Sequence, residues 1–212
     1  LGLVAAIDIG GSKVACVIAQ LTPVFDGEVE PDVVGVGQHG GVCREKRPDV
    51  EASLRAAVEA AERMAGERIR RVYVAAGGRS LGSRRIAVDL DISGGVVTED
   101  DVDECLAQGS AAAAPEGATP LYASKIRFLV DGEPADDPIG LSGGVLGAEM
   151  LGLSVRDSYA ENIEALLGRC GLEVEGLIAG PGAAADSVLI DDEKDLGVIM
   201  IDIGAKTTDF AL

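Results

Sequence analysis

Two four-residue stretches, Ile7-Asp8-Ile9-Gly10 and Ile201-Asp202-Ile203-Gly204, repeat the same text near opposite ends of the chain. Each closes an apolar run and opens a turn. The first continues through Gly11, Ser12 and Lys13, the second through Ala205, Lys206, Thr207 and Thr208. A strand that ends in aspartate and turns on glycine sets a carboxylate beside a row of exposed backbone N–H groups. Those groups form a concave nest suited to phosphate oxygens, and the carboxylate can hold the outer water shell of Mg²⁺. Glycine lets the backbone approach an anion with no Cβ in between. Hydroxyls on Ser12, Thr207 and Thr208 and the ammonium of Lys13 offer further donors. One such stretch alone reads as an ordinary tight β-turn; a second copy shifts the balance toward a binding role.

The elements around these turns alternate in type. Residues 3–9 and 14–20 read as the two strands of a hairpin, and 33–38 as a third strand. From Pro48 the spacing of Val50, Leu54, Ala57, Val58, Ala61 and Met64 predicts a helix with one buried face. A short buried strand follows over 69–78. Strand, hairpin, strand, helix, strand is an α/β layered order. The stretch 79–157 has another texture. Residues 84–92 alternate as a half-exposed strand, Thr98 caps a helix whose first turn is acidic, and Gly, Pro and Asp turns separate further strands. The acidic loop Asp131 to Asp137 reads as solvated surface. At Asp157 the first texture returns. Ser158 and Glu161 predict a capping box, Ile163, Leu166, Leu167 and Cys170 a buried helix face, and Gly171 its end. Then come a strand, a Gly-Pro-Gly break, a small-residue helix and the strand that carries Asp202. We therefore expect an α/β core, 1–78 with 158–212, interrupted by a small α+β insert at 79–157.

Composition sets the outer bounds. The 212 residues are 47% hydrophobic but only 3% aromatic, with no Trp, so the core must be built from Ala, Val, Leu and Ile. A net charge of −18 repels nucleic acid and argues against that class of partner. The four cysteines, Cys16, Cys43, Cys105 and Cys170, form no C-x-x-C pair and share the chain with a single histidine, His39. A zinc site is not expected, and Cys16 and Cys170 read as small core residues suited to a reducing cytosol. No apolar run is long enough to span a bilayer. The opening residues lack the basic start and cleavage site of a signal peptide, and they begin as a strand at once, as if trimmed at this end.

The duplicated turns resemble the phosphate-1 and phosphate-2 hairpins of the actin-like ATPase superfamily, where two such hairpins clasp the β- and γ-phosphates of ATP from opposite sides. "AGPGAAADSVL" (179–189) lies where that superfamily has its connecting helix. Sugar kinases of the ROK type carry a first hairpin like "DIGGSK", but their Asn-Asp base and Cys/His zinc loop are absent here. The order "VYVAAGGRSLGS", "ISGGVVTEDDVDECLAQ", "DDPIGLSGGVLGAEMLGLSV", "NIEALLGRCGLEVEGLIAGPGAAADSVL" is similar to that of the bacterial division family FtsA. The Pro-Ile-Gly-Leu-Ser-Gly stretch (138–143) and the Arg-Cys-Gly-Leu helix end (169–172) resemble it most closely.

That resemblance implies an actin-like ATPase (ribonuclease H-like) core, with 1–78 and 158–212 as subdomain IA and 79–157 as subdomain IC. It implies ATP with Mg²⁺ as ligands, held by Asp8, Gly10, Gly11, Ser12 and Lys13 and by Asp202, Gly204, Ala205, Lys206 and Thr207, with Asp8 and Asp202 reaching Mg²⁺ through water. It implies a cytoplasmic adaptor at the inner face of the cell membrane at the division site. Such a protein assembles head to tail with itself, tethers FtsZ, recruits later division proteins through IC, and meets the membrane through a C-terminal helix. The FtsZ-binding half and that helix lie outside these 212 residues, so a fragment is expected. Three departures stand out. Ala205-Lys206 replaces two glycines and narrows the approach to phosphate. Gly11 stands where threonine is commoner, moving the hydroxyl to Ser12. From Ile178 to Asp186 no Glu or Gln is available to polarise water, which implies slow or absent hydrolysis. The runner-up reading is another actin-fold protein, a pilus-assembly ATPase relative or a small-molecule kinase; a third is a scaffold that binds no nucleotide. His39 reads as a lone loop histidine with no special role, Arg68, Arg70 and Arg71 as a solvated edge and Asp186 as an exposed carboxylate, and the basic loop 39–48 is a candidate assembly contact.

Overall fold

The computed structural model describes residues 2–24, 29–40 and 49–212. The basic loop expected to serve assembly, with Cys43, lies mostly outside them. The chain runs β1 (Leu3–Ile9), β2 (Lys13–Pro23), β3 (Val29–Gly40), α1 (Val50–Ala65) and β4 (Arg71–Ala76), then a 3₁₀ turn at Gly78–Ser80. It continues with β5 (Leu81–Asp91), α2 (Glu99–Ala111), β6 (Ala118–Val130), β7 (Glu133–Ala135) and β8 (Val145–Arg156). Last come α3 (Asp157–Arg169), β9 (Glu173–Ala179), α4 (Gly180–Val188), α5 (Asp191–Leu196), β10 (Met200–Ile203) and β11 (Thr208–Ala211). Two compact units result: Leu1–Ser80 with Ser158–Leu212, and Leu81–Asp157.

In the first unit a five-stranded sheet has the order β3-β2-β1-β4-β9. The first three strands pair antiparallel through short connections, whereas β4 and β9 run parallel to β1 and need crossovers. α1 supplies the first crossover. Asp49 caps it by accepting from the Ala52 N–H at 2.9 Å, and Gly66 ends it in the left-handed conformation at φ 75°. Its buried stripe of Leu54, Ala57, Val58 and Ala61 meets Ile7, Val14, Cys16, Ile18, Val72 and Val74 of the sheet, with Ile163 and Leu167 of α3 in the same core. With so few aromatics, close backbone approach replaces bulk. Gly35 and Gly37 of β3 lie directly beneath α1, so that a Cβ on Gly37 would stand 1.8 Å from the carbonyl oxygen of Ala57.

The second unit is an antiparallel sheet, β5-β8-β6-β7, with α2 on it. Thr98 and Asp101 form the capping box of α2, each side chain bonding the other's backbone. Ile86, Val97, Cys105, Phe128, Leu146 and Met150 fill this unit's own core.

Several sequence expectations need correction. Met64 is 65% exposed, because the α1 stripe steps four residues from Ala61 to Ala65. β3 extends over Val29–Gly40 instead of 33–38, since β2 offers it a ladder along the whole length. Ser158 does not precede α3 but sits inside its first turn, which starts at Asp157 as β8 ends. The acidic loop 131–137 lies at the surface as expected, but Asp131, at φ 49°, also accepts from the N–H groups of Gly144 and Val145, both at 2.9 Å, and β7 occupies part of the loop. The Gly-Pro-Gly break is instead the first turn of α4, where proline's missing N–H costs nothing. His39 is exposed but lies on β3 instead of in a loop, with its Nδ1 3.2 Å from the Oγ of buried Ser53.

Candidate functional site

Both acidic turns are hairpins of one geometry. Gly10 N–H donates to the Lys13 carbonyl at 2.9 Å, and Gly204 N–H donates to the Thr207 carbonyl at 2.9 Å. Neither glycine has a positive φ. The space around each is tight: a Cβ would fall 3.2 Å from the Lys13 oxygen at Gly10 and 3.0 Å from the Thr207 oxygen at Gly204. The strands that flank the turns, β1 with β2 and β10 with β11, pair antiparallel in matching register, Asp8 opposite Ala15 and Asp202 opposite Asp209. Asp8, next to last in β1, lies beside Ala75 of parallel β4, placing its carboxylate at the C-terminal end of the parallel strands, where open α/β sheets bind ligands.

The fold brings the two turns together. Burial against the sheet end pushes the Asp8 carboxyl above its ordinary range, the charge of Asp202 pushes it further, and Lys13 partly offsets both. Asp8 nevertheless keeps an exposed edge, as do Ser12, Lys13, Asp202, Gly204, Ala205, Lys206 and Thr207. Tyr159 of α3, which neither turn contains, is close enough that burial and then the Asp8 charge raise its phenol. Across the tips, a Cβ on Gly11 would meet Lys206: 2.9 Å from Cγ, 3.1 Å from Cβ and 3.2 Å from the backbone nitrogen. The two departures are thus one feature. The lysine stem of the second turn fills the space that a side chain at position 11 would take.

That contact carries a prediction. Gly11→Thr is expected to destabilise the chain by about 1–3 kcal/mol, as overpacking does, while Lys206→Gly alone costs less. The double variant should recover most of the loss, giving a coupling of about 1 kcal/mol or more in a double-mutant cycle read by urea denaturation. Strict additivity of the two changes would mean that the tips do not touch.

Other residues complete the surroundings. Gly180 opens α4 beside the end of β4, where a Cβ would lie 3.2 Å from the Ala76 carbonyl oxygen. Asp186 on α4 is exposed and 3.3 Å from the Lys194 ammonium. Sequence reasoning missed Asp209, Gly77 and Gly78. Asp209 accepts from the Gly78 N–H with both carboxylate oxygens, at 3.0 and 3.2 Å, and also faces the Thr207 hydroxyl at 3.4 Å. No local spacing links positions so far apart in the chain. Among the described residues no set of three or more His, Cys, Asp or Glu gathers as a direct metal cage. Two neighbouring carboxylates on glycine turns, with the exposed Lys13 and Lys206 on the same turns, suit a hydrated divalent ion that already carries phosphate oxygens.

Comparison with known proteins completes the picture. The family model "SHS2 domain inserted in FTSA" matches residues 78–153. The cell division protein FtsA of Pseudomonas aeruginosa is 35% identical across 99% of this chain and 51% of its own length. FtsA of Rhizobium meliloti is 33% identical across 97% and 49%, and that of Escherichia coli 31% across 99% and 50%. The chain therefore spans about half the length of the curated relatives it matches. Among solved structures, the PilM-PilN type IV pilus biogenesis complex superposes over 98% of this chain and 56% of that one, with a TM-score of 0.58 at 15% identity. Such a likeness speaks for the actin-like ATPase fold alone. With the duplicated turns, the interrupted α/β core and 31–35% identity along almost the whole chain, the protein is similar throughout to the cell division protein FtsA, and residues 78–153 match the SHS2 domain inserted in that family.

Proposed function

We propose that the paired turns are an ATP clasp with Mg²⁺ and that the protein acts as a division adaptor rather than an efficient ATPase. One observation carries this reading: two glycine turns, each tipped by a carboxylate, converge so closely that Asp202 acts on Asp8 and Lys206 covers Gly11. The backbone N–H groups at the turn tips, those of Gly11, Ser12, Ala205 and Lys206, receive phosphate oxygens from two sides, and Lys13 and Lys206 balance their charge. Asp8 and Asp202 hold the water shell of Mg²⁺, which when bound neutralises part of the phosphate charge. Ile178 to Asp186 form the end of β9 and most of α4 without a Glu or Gln, and Asp186 is engaged by Lys194, so no side chain there orients water. Bound nucleotide then biases conformation by its different affinity for two states, with no need of turnover.

By family, the assembled protein polymerises head to tail, tethers FtsZ at the cytoplasmic face of the membrane through regions beyond these residues, and recruits later division proteins through the inserted unit. Among the described residues no helix is long and apolar enough to cross a membrane. A pilus-assembly role shares only the fold likeness, whereas the sequence identity lies with division proteins. The test is assembly of the full-length protein, by light scattering, with Mg-ATP and with a non-hydrolysable analogue. Equal assembly is expected. Assembly with ATP alone would make hydrolysis part of the mechanism, and failure of fluorescent ATP to bind would leave a scaffold.

A further inference from the structure

β10 and β11 form a separate two-stranded ribbon, and such ribbons hold their place weakly without outside support. Ile201, Ile203 and Phe210 leave much of its surface uncovered. Yet this ribbon must present the second phosphate turn at a fixed distance from the first, which is anchored in the five-stranded sheet. Besides its packing on α4 and the Lys206–Gly11 contact, the hydrogen bonding that ties it to the sheet among the described residues is at one spot. The Asp209 carboxylate accepts the Gly78 N–H at 3.0 and 3.2 Å, two residues past the end of β4. Around that bond the backbone is shaped to the ribbon. Gly78 is left-handed at φ 63°, and a Cβ on it would come within 2.9 Å of the Thr207 methyl. Gly77 packs with its Cβ position 3.4 Å from the Asp209 Oδ2. Asp209 stands opposite Asp202 in the ribbon register, so the residue that grips Gly78 is the cross-strand partner of the one expected to face Mg²⁺.

We infer that Asp209 is a positioning residue for the clasp: its carboxylate fastens the second phosphate hairpin to the Gly77–Gly78 turn at the end of β4 and so sets the spacing between the hairpins. This rests on the phosphate-clasp reading above. A carboxylate acceptor makes a stronger bond than a neutral one, and two oxygens on one N–H restrict sliding of the ribbon along the sheet end. Gly78 in particular must be glycine for the ribbon to come this near, both for its left-handed φ and for the space beside Thr207.

The experiment compares Asp209→Ala and Asp209→Asn with the wild type in the full-length protein. Hydrogen exchange by mass spectrometry follows the peptide covering Gly77–Ser80 without nucleotide, and fluorescent ATP with Mg²⁺ reads affinity. Asp209→Ala should speed exchange of that peptide about tenfold or more and weaken Mg-ATP about tenfold. Asp209→Asn keeps a carbonyl acceptor on the same stem and should restore most of both, a rescue that loss of general stability would not show. Unchanged exchange in Asp209→Ala overturns the inference whether or not nucleotide binds. Faster exchange with unaltered affinity also overturns it, since the bond would then position nothing. If wild type itself fails to bind Mg-ATP, the clasp reading falls and the positioning role with it, while the exchange result separately tells whether the bond exists.

Discussion

Gly37→Ala should lower the stability of the first unit by about 3 kcal/mol or more, a shift of roughly 10 °C in the melting temperature of a chain this size. The added methyl would stand 1.8 Å from the Ala57 carbonyl oxygen, 2.7 Å from the Ala61 nitrogen and 2.9 Å from the Ala57 carbonyl carbon. All three are backbone atoms of α1, so no rotamer change relieves the clash. The helix must lift from β3, uncovering Ala57 and Ala61, both fully buried. Gly35→Ala meets the Ala61 carbonyl oxygen at 2.4 Å and should behave similarly. Gly40→Ala, on the same strand with nothing within 4 Å, is the control and should melt with the wild type. Melts followed by circular dichroism decide the matter: a Gly37→Ala chain as stable as the control would mean that α1 does not rest on β3.

The second large effect concerns the carboxylates, and it has two opposite parts. Asp8→Ala or Asp202→Ala should weaken Mg-ATP on the order of 100-fold in the full-length protein, because an uncompensated metal shell costs a few kcal/mol. Stability should move the other way at Asp8. Burial and the Asp202 charge raise the Asp8 carboxyl above its ordinary 3.8, so the fold disfavours the ionised form. Stability then falls as pH rises from 3.8 through the raised value, and the whole penalty is present at neutral pH. Asp8→Asn removes it. That variant should melt higher than wild type at pH 7, with the gap closing as pH drops below the carboxylate range, while losing Mg-ATP as Asp8→Ala does. Titration with fluorescent ATP and melts at pH 7 and pH 3.5 check both parts. An Asn variant that melts lower at pH 7 and binds normally would remove Asp8 from the clasp. A protein that keeps a destabilising charge pair gives up stability for a site, as functional positions commonly do.

How much of this could be read from the residues alone depends on how far an interaction reaches along the chain. The Gly10 and Gly204 turns, the Thr98–Asp101 capping box, the left-handed Gly66 stop and the buried stripe of α1 each depend on neighbours within about four positions. Residue type and spacing determine such features, because a short turn or cap has few alternatives. Even so, spacing alone extends the stripe to Met64 and makes Ser158 a cap, where the helical phase and the abrupt end of β8 rule otherwise. Duplication of the Asp-Ile-Gly turn also points to the candidate site, since chance seldom repeats a chemically useful turn on two apolar strands.

Tertiary structure alone decided what those turns do to each other. Gly11 against Lys206, Asp209 on the Gly78 N–H and Gly37 under Ala57 join positions that only the folded chain brings near. No local propensity distinguishes a glycine that frees a turn from one that admits a helix, and none shows that Asp209 faces inward while Asp186 faces solvent. Ala205-Lys206 and Gly11 read separately as two departures from a family pattern; packing makes them one contact. The sequence determined which groups are available, and the three-dimensional arrangement determined which of them meet, because meeting depends on strand register and sheet order rather than on spacing along the chain.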